Sequence, residues 1–275
     1  MKKILSGVAA VALLFMLGAC GGSQKSEGDS QSKALDAVKD AGVLKVGMSA
    51  DFAPFEFHSM VDGKDKIVGA DVDLANAIAD DLGVDIEFMD MEFNAVLSSL
   101  EQGKVDIAIS GISATPERKK SFDFSDNYYN PPQKVIVNKK NADKFTSVDS
   151  LKGKKVGAQK GSVQEDVVKQ QLPDAQMVSV AKVPNLIIEL NQGSIDALVV
   201  EETVGASYIS QNPDLQFADI DLKSSKDEAY SIALPKDSGT LKTEIDKIIK
   251  KLNDSGKIEE FVQKNIELAN KNADK

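Results

Sequence analysis

The sequence predicts an α/β fold of two lobes, each a mostly parallel sheet flanked by helices. Short apolar runs alternate with amphipathic helical segments along the chain, which is typical of βαβ units. Without the N-terminal leader and tether, roughly 235 residues remain, more than a typical single domain has. A helix–Gly–Asp–strand sequence occurs twice, as LEQGKVDI at 100–107 and as LNQGSIDA at 190–197. Together these observations predict two similar lobes.

The N-terminus has the pattern of a bacterial export signal. Lys2 and Lys3 precede an apolar run, and Leu17-Gly18-Ala19-Cys20 follows it, so residues 1–19 are predicted to be a signal peptide. The Leu-Gly-Ala-Cys sequence resembles the bacterial lipobox, which implies cleavage before Cys20 and thioether lipidation of its sulfur. Residues 20–33 are then the lipidated Cys and a flexible Gly/Ser-rich tether. The expected location is the extracytoplasmic face of the bacterial cell membrane.

Composition excludes several classes of function. The formal net charge is −10 and becomes −12 once Lys2 and Lys3 are removed, which argues against a nucleic-acid partner. Cys20 is the only cysteine and His58 the only histidine. An internal disulfide, a Cys–metal cluster and a zinc site of the usual kind are therefore not expected, and no cofactor is expected.

The order of elements sets the predicted lobe limits. The first half is predicted to contain helix 34–41, strand 44–48, a loop at 49–56, helix 71–82, strand 86–89 and helix 93–101. A crossing segment at 122–133 is followed by strands 135–137, 155–158, 177–180, 197–200 and 215–217, with helices 163–172, 185–191 and 203–210. After a second crossing at 223–227 come strand 230–234 and helices 241–253 and 258–269. Lobe one is predicted as 34–127 with 231–275, lobe two as 138–227, and the hinge crossings as 128–137 and 228–230.

One stretch, 106–118 (DIAISGISATPER), predicts half of a binding site. The apolar run 107–109 reads as a buried strand, and the small residues Ser110 and Gly111 follow it. Thr115 and Pro116 are typical of a helix start, which places Arg118 near the strand's C-terminal end, where ligands bind in open α/β sheets. The planar guanidinium of Arg suits a carboxylate. The alternative is a surface Arg118 paired with Glu117 or Asp123.

The second helix–Gly–strand repeat predicts the opposite wall. Its strand leads to Glu201. If the two sheets face each other, Arg118 from one wall and Glu201 from the other would hold a zwitterion. The alternative is that the similarity between 100–107 and 190–197 is a coincidence, because helix–Gly–strand sequences are common in α/β proteins.

Four motifs, in order and spacing, resemble a known family. They are APFE at 53–56, GADVDL at 69–74, SGISATPERK at 110–119 and FDFS at 122–125. The chain resembles the extracellular solute-binding proteins of polar amino acid ABC importers (solute-binding family 3) from about 42 to 268. Ala70 stands where that family usually has an aromatic residue. The resemblance implies a two-lobed periplasmic-binding-protein-like (type II) fold with a two-strand hinge, and a binding protein rather than an enzyme.

The resemblance also implies roles for individual residues. Arg118 would pair with the ligand α-carboxylate, helped by Ser113 and by backbone N–H groups around Ser162, and Glu201 would take the α-ammonium. Phe52 and Phe93 would sandwich the ligand side chain, although each taken alone is more typical of a core residue. The remaining implied contacts are Ser110 and Gly111 in the lobe-one wall, Gln159 and Val163 in lobe two, and Ser49, which stands where several relatives have an Asp.

The expected function is capture of a polar or basic amino acid and its delivery to an ABC permease with its ATPase subunits. Acidic residues near the presumed cleft, such as Asp51 and Glu56, would suit a basic side chain, whereas Ser49 and Gln159 would suit an amide. Glutamine, arginine, lysine and histidine are the leading candidates, and the protein is expected to be a monomer. The alternatives are a dehydratase-like enzyme on the same fold, a receptor ectodomain and a surface adhesin. The sequence offers no Ser-His-Asp order or activated Cys for the enzyme.

Overall fold

The computed structural model describes residues 33–273, with side chains to residue 271. The predicted signal peptide, Cys20 and the tether before Lys33 lie outside the described residues. Eight α-helices occur within this range: α1 Lys33–Ala41, α2 Ala70–Leu82, α3 Phe93–Glu101, α4 Val163–Gln171, α5 Val183–Gln192, α6 Glu202–Gln211, α7 Gly239–Asp254 and α8 Lys257–Ala273. In that same range, no helix is both long enough and apolar enough to cross a bilayer.

Thirteen strands lie within the described residues. They are β1 Val43–Met48, β2 Asp51–Phe52, β3 Glu56–Val61, β4 Lys64–Val68, β5 Asp85–Asp90, β6 Ile107–Ala108, β7 Phe122–Phe124, β8 Gln133–Asn138, β9 Lys155–Gln159, β10 Gln176–Val180, β11 Ala197–Glu201, β12 Leu215–Phe217 and β13 Ala233–Pro235.

The strands form two five-stranded sheets and one small three-stranded sheet. The first sheet has the order β5-β1-β6-β13-β7 and the second β10-β9-β11-β8-β12. In the first sheet only β13 runs against the other strands, and in the second only β8 does. The mostly parallel sheets expected from the sequence are confirmed. The lobe limits remain predictions, and Gln133–Val137 of the predicted hinge belong to β8.

Apolar spacing explains the helices that cover the sheets. In α5, the buried residues Val183, Leu186, Ile187 and Leu190 follow the helical repeat of one face. That helix ends at Gly193, whose φ of 78° is a left-handed conformation that glycine adopts without steric cost. Apolar residues on one face thus bury α5 against β9 and β11.

Two antiparallel crossings connect the lobes. Tyr230 forms an isolated bridge with Tyr129, and the Tyr128 N–H donates to the Tyr230 carbonyl at 2.9 Å. The Tyr129 ring also packs against Phe55, with 5.1 Å between ring centroids. Paired crossing strands of this kind form a hinge about which two lobes rotate.

Two local predictions were wrong. The predicted loop at 49–56 contains β2, which pairs with β3, and β3 continues into β4 as a hairpin. The helix predicted to start at Thr115 is only a short 3₁₀ turn, Arg118–Lys120. The Thr115 hydroxyl does accept the Arg118 N–H at 3.2 Å, as an N-cap would. The turn ends because β7 begins at Phe122.

Candidate functional site

Four parallel strands end at the surface where the lobes meet. Ser49 follows β1, Ser110 follows β6, Gln159 ends β9 and Glu201 ends β11. All four residues are buried. The C-terminal ends of strands from both sheets therefore supply polar groups to one region, as the binding rule for open α/β sheets predicts.

Arg118 connects the two lobes through backbone carbonyls. Its guanidinium donates to the Ser113 carbonyl at 2.8 Å and to the Gly161 carbonyl of lobe two at 3.0 Å. Burial lowers the pKa of Arg118 to about 10, although the charges of Asp166 and Glu201 oppose that shift. The group stays cationic at neutral pH.

The alternative role of Arg118 as a surface ion-pair partner is wrong. Glu117 pairs with Lys120, and Asp123 pairs with Lys236 at 3.1 Å. No carboxylate of the described residues lies within 4.0 Å of Arg118. The cation is half-buried without a counter-ion, an arrangement that favours an anionic ligand.

Glu201 is the buried acid of lobe two. It is 2 % exposed, and its Oε2 has no hydrogen-bond partner among the described residues. Burial raises the pKa of Glu201 to about 7. A buried carboxylate with an unpartnered oxygen is stabilised by a cationic donor, which an ammonium group would supply.

The two lobes touch across the cleft. The Tyr208 hydroxyl on α6 donates to the Asp51 carbonyl on β2 at 2.6 Å. Gly161 approaches so closely that a Cβ there would lie 3.1 Å from the Cβ of Asn94 on α3. With the Arg118–Gly161 contact, these approaches describe closed lobes.

Hydrogen bonds within lobe one fix the positions of Ser49, Ser110 and Gly111. The Ser110 hydroxyl accepts the Ser49 N–H at 3.0 Å and donates to Glu56 at 2.6 Å. The Gly111 N–H donates to Asp71 at 2.9 Å. These three predicted wall residues thus use their polar groups in hydrogen bonds inside the protein.

The two predicted aromatic residues, Phe52 and Phe93, contact Gly111 and Arg118 respectively. Phe52 is 7 % exposed and packs against Gly111, where a Cβ would come within 2.9 Å of its ring. Phe93 begins α3, and the Arg118 guanidinium carbon lies 5.8 Å from its ring centroid, within the range of a cation–π contact. Phe93 therefore helps to position Arg118.

Lobe two contributes the start of α4. Ser162 occupies the N-cap position, with Val163 the first helical residue. Both the Ser162 N–H, at 3.2 Å, and its hydroxyl, at 2.7 Å, donate to the Gln159 carbonyl. The Gln159 amide in turn donates to the Ala181 carbonyl at 3.3 Å. The Ser162 N–H is therefore bonded inside the protein, and the role expected for backbone N–H groups around Ser162 stays a prediction.

Ser113 supports Arg118 and also contacts the second crossing. Its carbonyl accepts the guanidinium, and its hydroxyl donates to the Glu228 carbonyl at 2.9 Å. The residue lies beside Arg118, where the resemblance places it.

Several buried polar atoms lack a partner within the described part of the chain. Leaving such an atom unpaired costs ~1–3 kcal/mol, more for a charged group. Most are carboxylate oxygens, which need donors rather than acceptors. The full set is Asp51 Oδ2, Glu56 Oε2, Asp71 Oδ1, Gln133 Nε2, Glu201 Oε2, Ser207 Oγ, Glu228 Oε2 and the Tyr230 hydroxyl.

Cavities and metal ligands do not indicate another site for this chemistry. A cavity of about 420 Å³ has Thr115, Val163 and Asp227 among its lining residues. Neither Arg118 nor Glu201 lines it. No group of three or more metal-ligating side chains occurs among residues 33–273 that the structure describes.

Sequence reasoning missed Tyr208 and Tyr230. Tyr208 lies on a helix with no motif around it, so only the lobe contact reveals its role. Tyr230 is fully buried, and its ring lies 5.1 Å from that of Phe55. The buried acids Glu56 and Asp71 lie in the APFE and GADVDL motifs, but nothing in the sequence pattern indicated that the two side chains are neighbours.

Comparison with known proteins decides the family. The family model of the bacterial extracellular solute-binding proteins, family 3, matches residues 44–267. The chain belongs to this family. Members are extracellular, so the body of this solute-binding protein is expected outside the cytoplasm.

Named relatives of this solute-binding protein bind amino acids. The arginine-binding extracellular protein ArtP of Bacillus subtilis (strain 168) is 36 % identical over 96 % of this chain and 98 % of the relative. A probable histidine-binding protein of Neisseria gonorrhoeae is 34 % identical over 96 % of this chain and 95 % of its own.

A solved structure has the same two-lobed fold. It is an amino acid ABC transporter substrate-binding protein from Streptococcus pneumoniae bound to L-arginine, 45 % identical, with a TM-score of 0.83. The match covers 85 % of this chain and 98 % of that one. The expected type II binding-protein fold is confirmed.

Proposed function

We propose that this solute-binding protein captures a free amino acid between its lobes and delivers it to an ABC permease and its ATPase subunits. The observation that carries the proposal is that Arg118 and Glu201 come from opposite lobes, where Arg118 is half-buried and Glu201 is 2 % exposed. Neither has a protein counter-ion within 4.0 Å among the described residues. A zwitterionic ligand supplies both missing partners at once, with its carboxylate on Arg118 and its ammonium on Glu201.

Ligand binding and lobe closure are linked in this proposal. A ligand that contacts both walls is bound more tightly by the closed form than by the open form, so it shifts the population toward closure. The Tyr208–Asp51 and Arg118–Gly161 contacts span the lobes and add to the closed state. The permease would then distinguish loaded from unloaded protein by shape.

A basic amino acid, arginine first, is the proposed ligand. Asp51 lies at the lobe contact, and its Oδ2 is buried without a partner in the described structure. Burial raises the pKa of Asp51 to about 6, which a cationic ligand group would reverse. The arginine-binding relatives support the same choice.

Anchoring and oligomeric state belong to the same proposal. Cys20 would carry the lipid that holds the protein at the outer face of the membrane, and a single chain suffices because both walls come from it. No enzymatic step is proposed, since the site presents binding groups rather than a nucleophile paired with a general base.

Calorimetry with matched ligands tests the proposal. L-Arginine should bind, whereas agmatine, which lacks the α-carboxylate, should bind at least roughly 30-fold more weakly because the Arg118 charge stays unpaired. Arg118→Ala should remove this difference by weakening arginine to the agmatine level. Equal affinity for arginine and agmatine in the wild type would overturn the zwitterion assignment, and the absence of binding to any of the twenty amino acids would overturn the function.

A further inference from the structure

Two acidic side chains are buried behind the predicted ligand wall. Glu56 begins β3 and Asp71 lies in the first turn of α2, and each is 0 % exposed. Neither has a Lys, Arg or His partner within 4.0 Å in the part of the chain that the structure describes. Buried carboxyl groups without cations need another way to satisfy their oxygens.

Each acid already accepts hydrogen bonds from the wall or the hinge. Asp71 Oδ2 accepts the Gly111 N–H and the Tyr128 hydroxyl, both at 2.9 Å. Glu56 Oε1 accepts the Ser110 hydroxyl at 2.6 Å. The two acids therefore hold the Ser110–Gly111 turn from one side and a hinge residue from the other.

A proton shared by Glu56 and Asp71 would give the remaining oxygen of each acid a hydrogen-bond partner. Glu56 Oε2 and Asp71 Oδ1 are buried and lack a donor among the described residues. The two acids bond to the adjacent residues Ser110 and Gly111, which brings their carboxyl groups close together. Two adjacent buried carboxylates cannot both ionise, because like charges in a low dielectric repel strongly. One proton on Glu56 Oε2, donated to Asp71 Oδ1, satisfies both atoms.

The donor count assigns that proton to Glu56. Asp71 accepts two further donors as an anion, whereas Glu56 accepts one. In agreement, burial raises the pKa of Glu56 well above its usual range and that of Asp71 only to about 6. The other titratable groups that act on the pair are Asp51, Tyr128, Tyr208 and Tyr230, all acids, so none favours ionisation of Glu56.

We propose that Glu56 and Asp71 are positioning residues that share one proton and thereby fix the Ser110–Gly111 turn that the ligand meets. Neither acid is assigned a ligand contact. The inference rests on the proposed function only for its affinity readout.

Carboxyl carbon NMR of the wild-type protein tests the proton directly. The Glu56 carboxyl should remain protonated at pH 7, well above the ordinary Glu pKa of about 4.3. Titration of Glu56 near its ordinary value would overturn the inference. This result does not depend on which ligand binds, so it separates failure of the shared proton from failure of the proposed function.

Two substitutions of similar size test the positioning role through L-arginine affinity at pH 7. Glu56→Gln keeps an acceptor for Ser110 and places an amide N–H where the shared proton lies, so affinity should stay within about threefold of wild type. Glu56→Met fills the space but supplies neither group, so affinity should fall by about tenfold or more. Equal affinities of the two variants would contradict the role. If Glu56→Met fails to fold, the positioning role is tested by Glu56→Gln alone, and a loss of L-arginine affinity above tenfold in that variant would contradict it.

Discussion

Replacing the buried acid of lobe two by its neutral isostere should weaken ligand binding and stabilise the ligand-free protein. Glu201→Gln keeps shape and an acceptor but removes the charge that the ligand ammonium is proposed to meet. Loss of one partner of a buried charge pair typically costs about 2–5 kcal/mol, which is roughly a 30-fold to 5,000-fold weaker affinity. Calorimetry with L-arginine at pH 8, where Glu201 is ionised, measures the change.

The stability effect has the opposite sign and follows from the pKa of Glu201. Burial raises that pKa from 4.5 to about 7, so folding takes up a proton between these values. Protonated Glu201 makes its full contribution to the free energy of unfolding below pH 4.5, and this contribution is lost as pH rises through 7. Above pH 7, the buried charge of Glu201 lowers the free energy of unfolding by up to roughly 3 kcal/mol. Glu201→Gln removes this cost, so its melting temperature without ligand should exceed the wild-type value at pH 8 and match it at pH 4.

The neighbouring acid provides a matched control. Glu202 is exposed at the start of α6 and lies 3.8 Å from Lys134. Glu202→Gln should leave arginine affinity within about threefold, because exposed ion pairs contribute little. The reasoning is refuted if Glu201→Gln binds arginine as tightly as the Glu202→Gln control does.

Three further substitutions test separate contacts. Tyr208→Phe removes the hydroxyl bonded to Asp51 across the lobes and should weaken arginine binding by up to about tenfold without lowering the melting temperature; an unchanged Kd by calorimetry would contradict a closing role. Asp51→Asn should weaken arginine by roughly tenfold or more but citrulline, which has a neutral urea group, only slightly. It should also reduce the rise in wild-type arginine affinity from pH 5 to 7, leaving the part that comes from ionisation of Glu201. An equal loss for both ligands would exclude charge recognition. Gly111→Ala should lower the free energy of unfolding by about 1–3 kcal/mol in denaturant melts, because the φ of Gly111 is 54° and the new Cβ would lie 2.9 Å from the Phe52 ring. A loss under 0.5 kcal/mol would contradict the close approach of Phe52 to this turn.

Periodicity predicted the elements that are long and regular. Helix α3 has the predicted limits, and α2 and α5 differ by one to two residues at their ends because apolar spacing defines a buried face but not a cap. The β2–β3–β4 hairpins were missed because β2 has only two residues and Pro54 interrupts the pattern. A strand that short is stabilised by its partner rather than by its own sequence.

The helix predicted at Thr115 shows how tertiary structure limits a local signal. Its capping hydrogen bond forms, yet the chain must enter β7 at Phe122, so the helical conformation stops after Lys120. Arg118 still reaches the cleft from this shorter turn. The helix-start pattern at Thr115 and Pro116 therefore predicted the position of Arg118 correctly but the type of element incorrectly.

Half of the candidate site could be predicted from local sequence and half required the fold. Glu201 ends β11, and Arg118 lies in the 3₁₀ turn between β6 and β7, so the apolar runs of β6 and β11 located both residues. The Tyr208–Asp51 contact joins residues that are 157 positions apart. No periodicity reports such a pair. The Glu56–Asp71 pair likewise depends on how β3 packs against α2.

A crystal structure of the protein with L-arginine tests the central claim most directly. We predict one ligand between the lobes, with its α-carboxylate oxygens about 3 Å from the Arg118 guanidinium and its α-ammonium about 3 Å from a Glu201 oxygen. A ligand bound elsewhere, or one that leaves Arg118 bonded only to the Ser113 and Gly161 carbonyls, would contradict it.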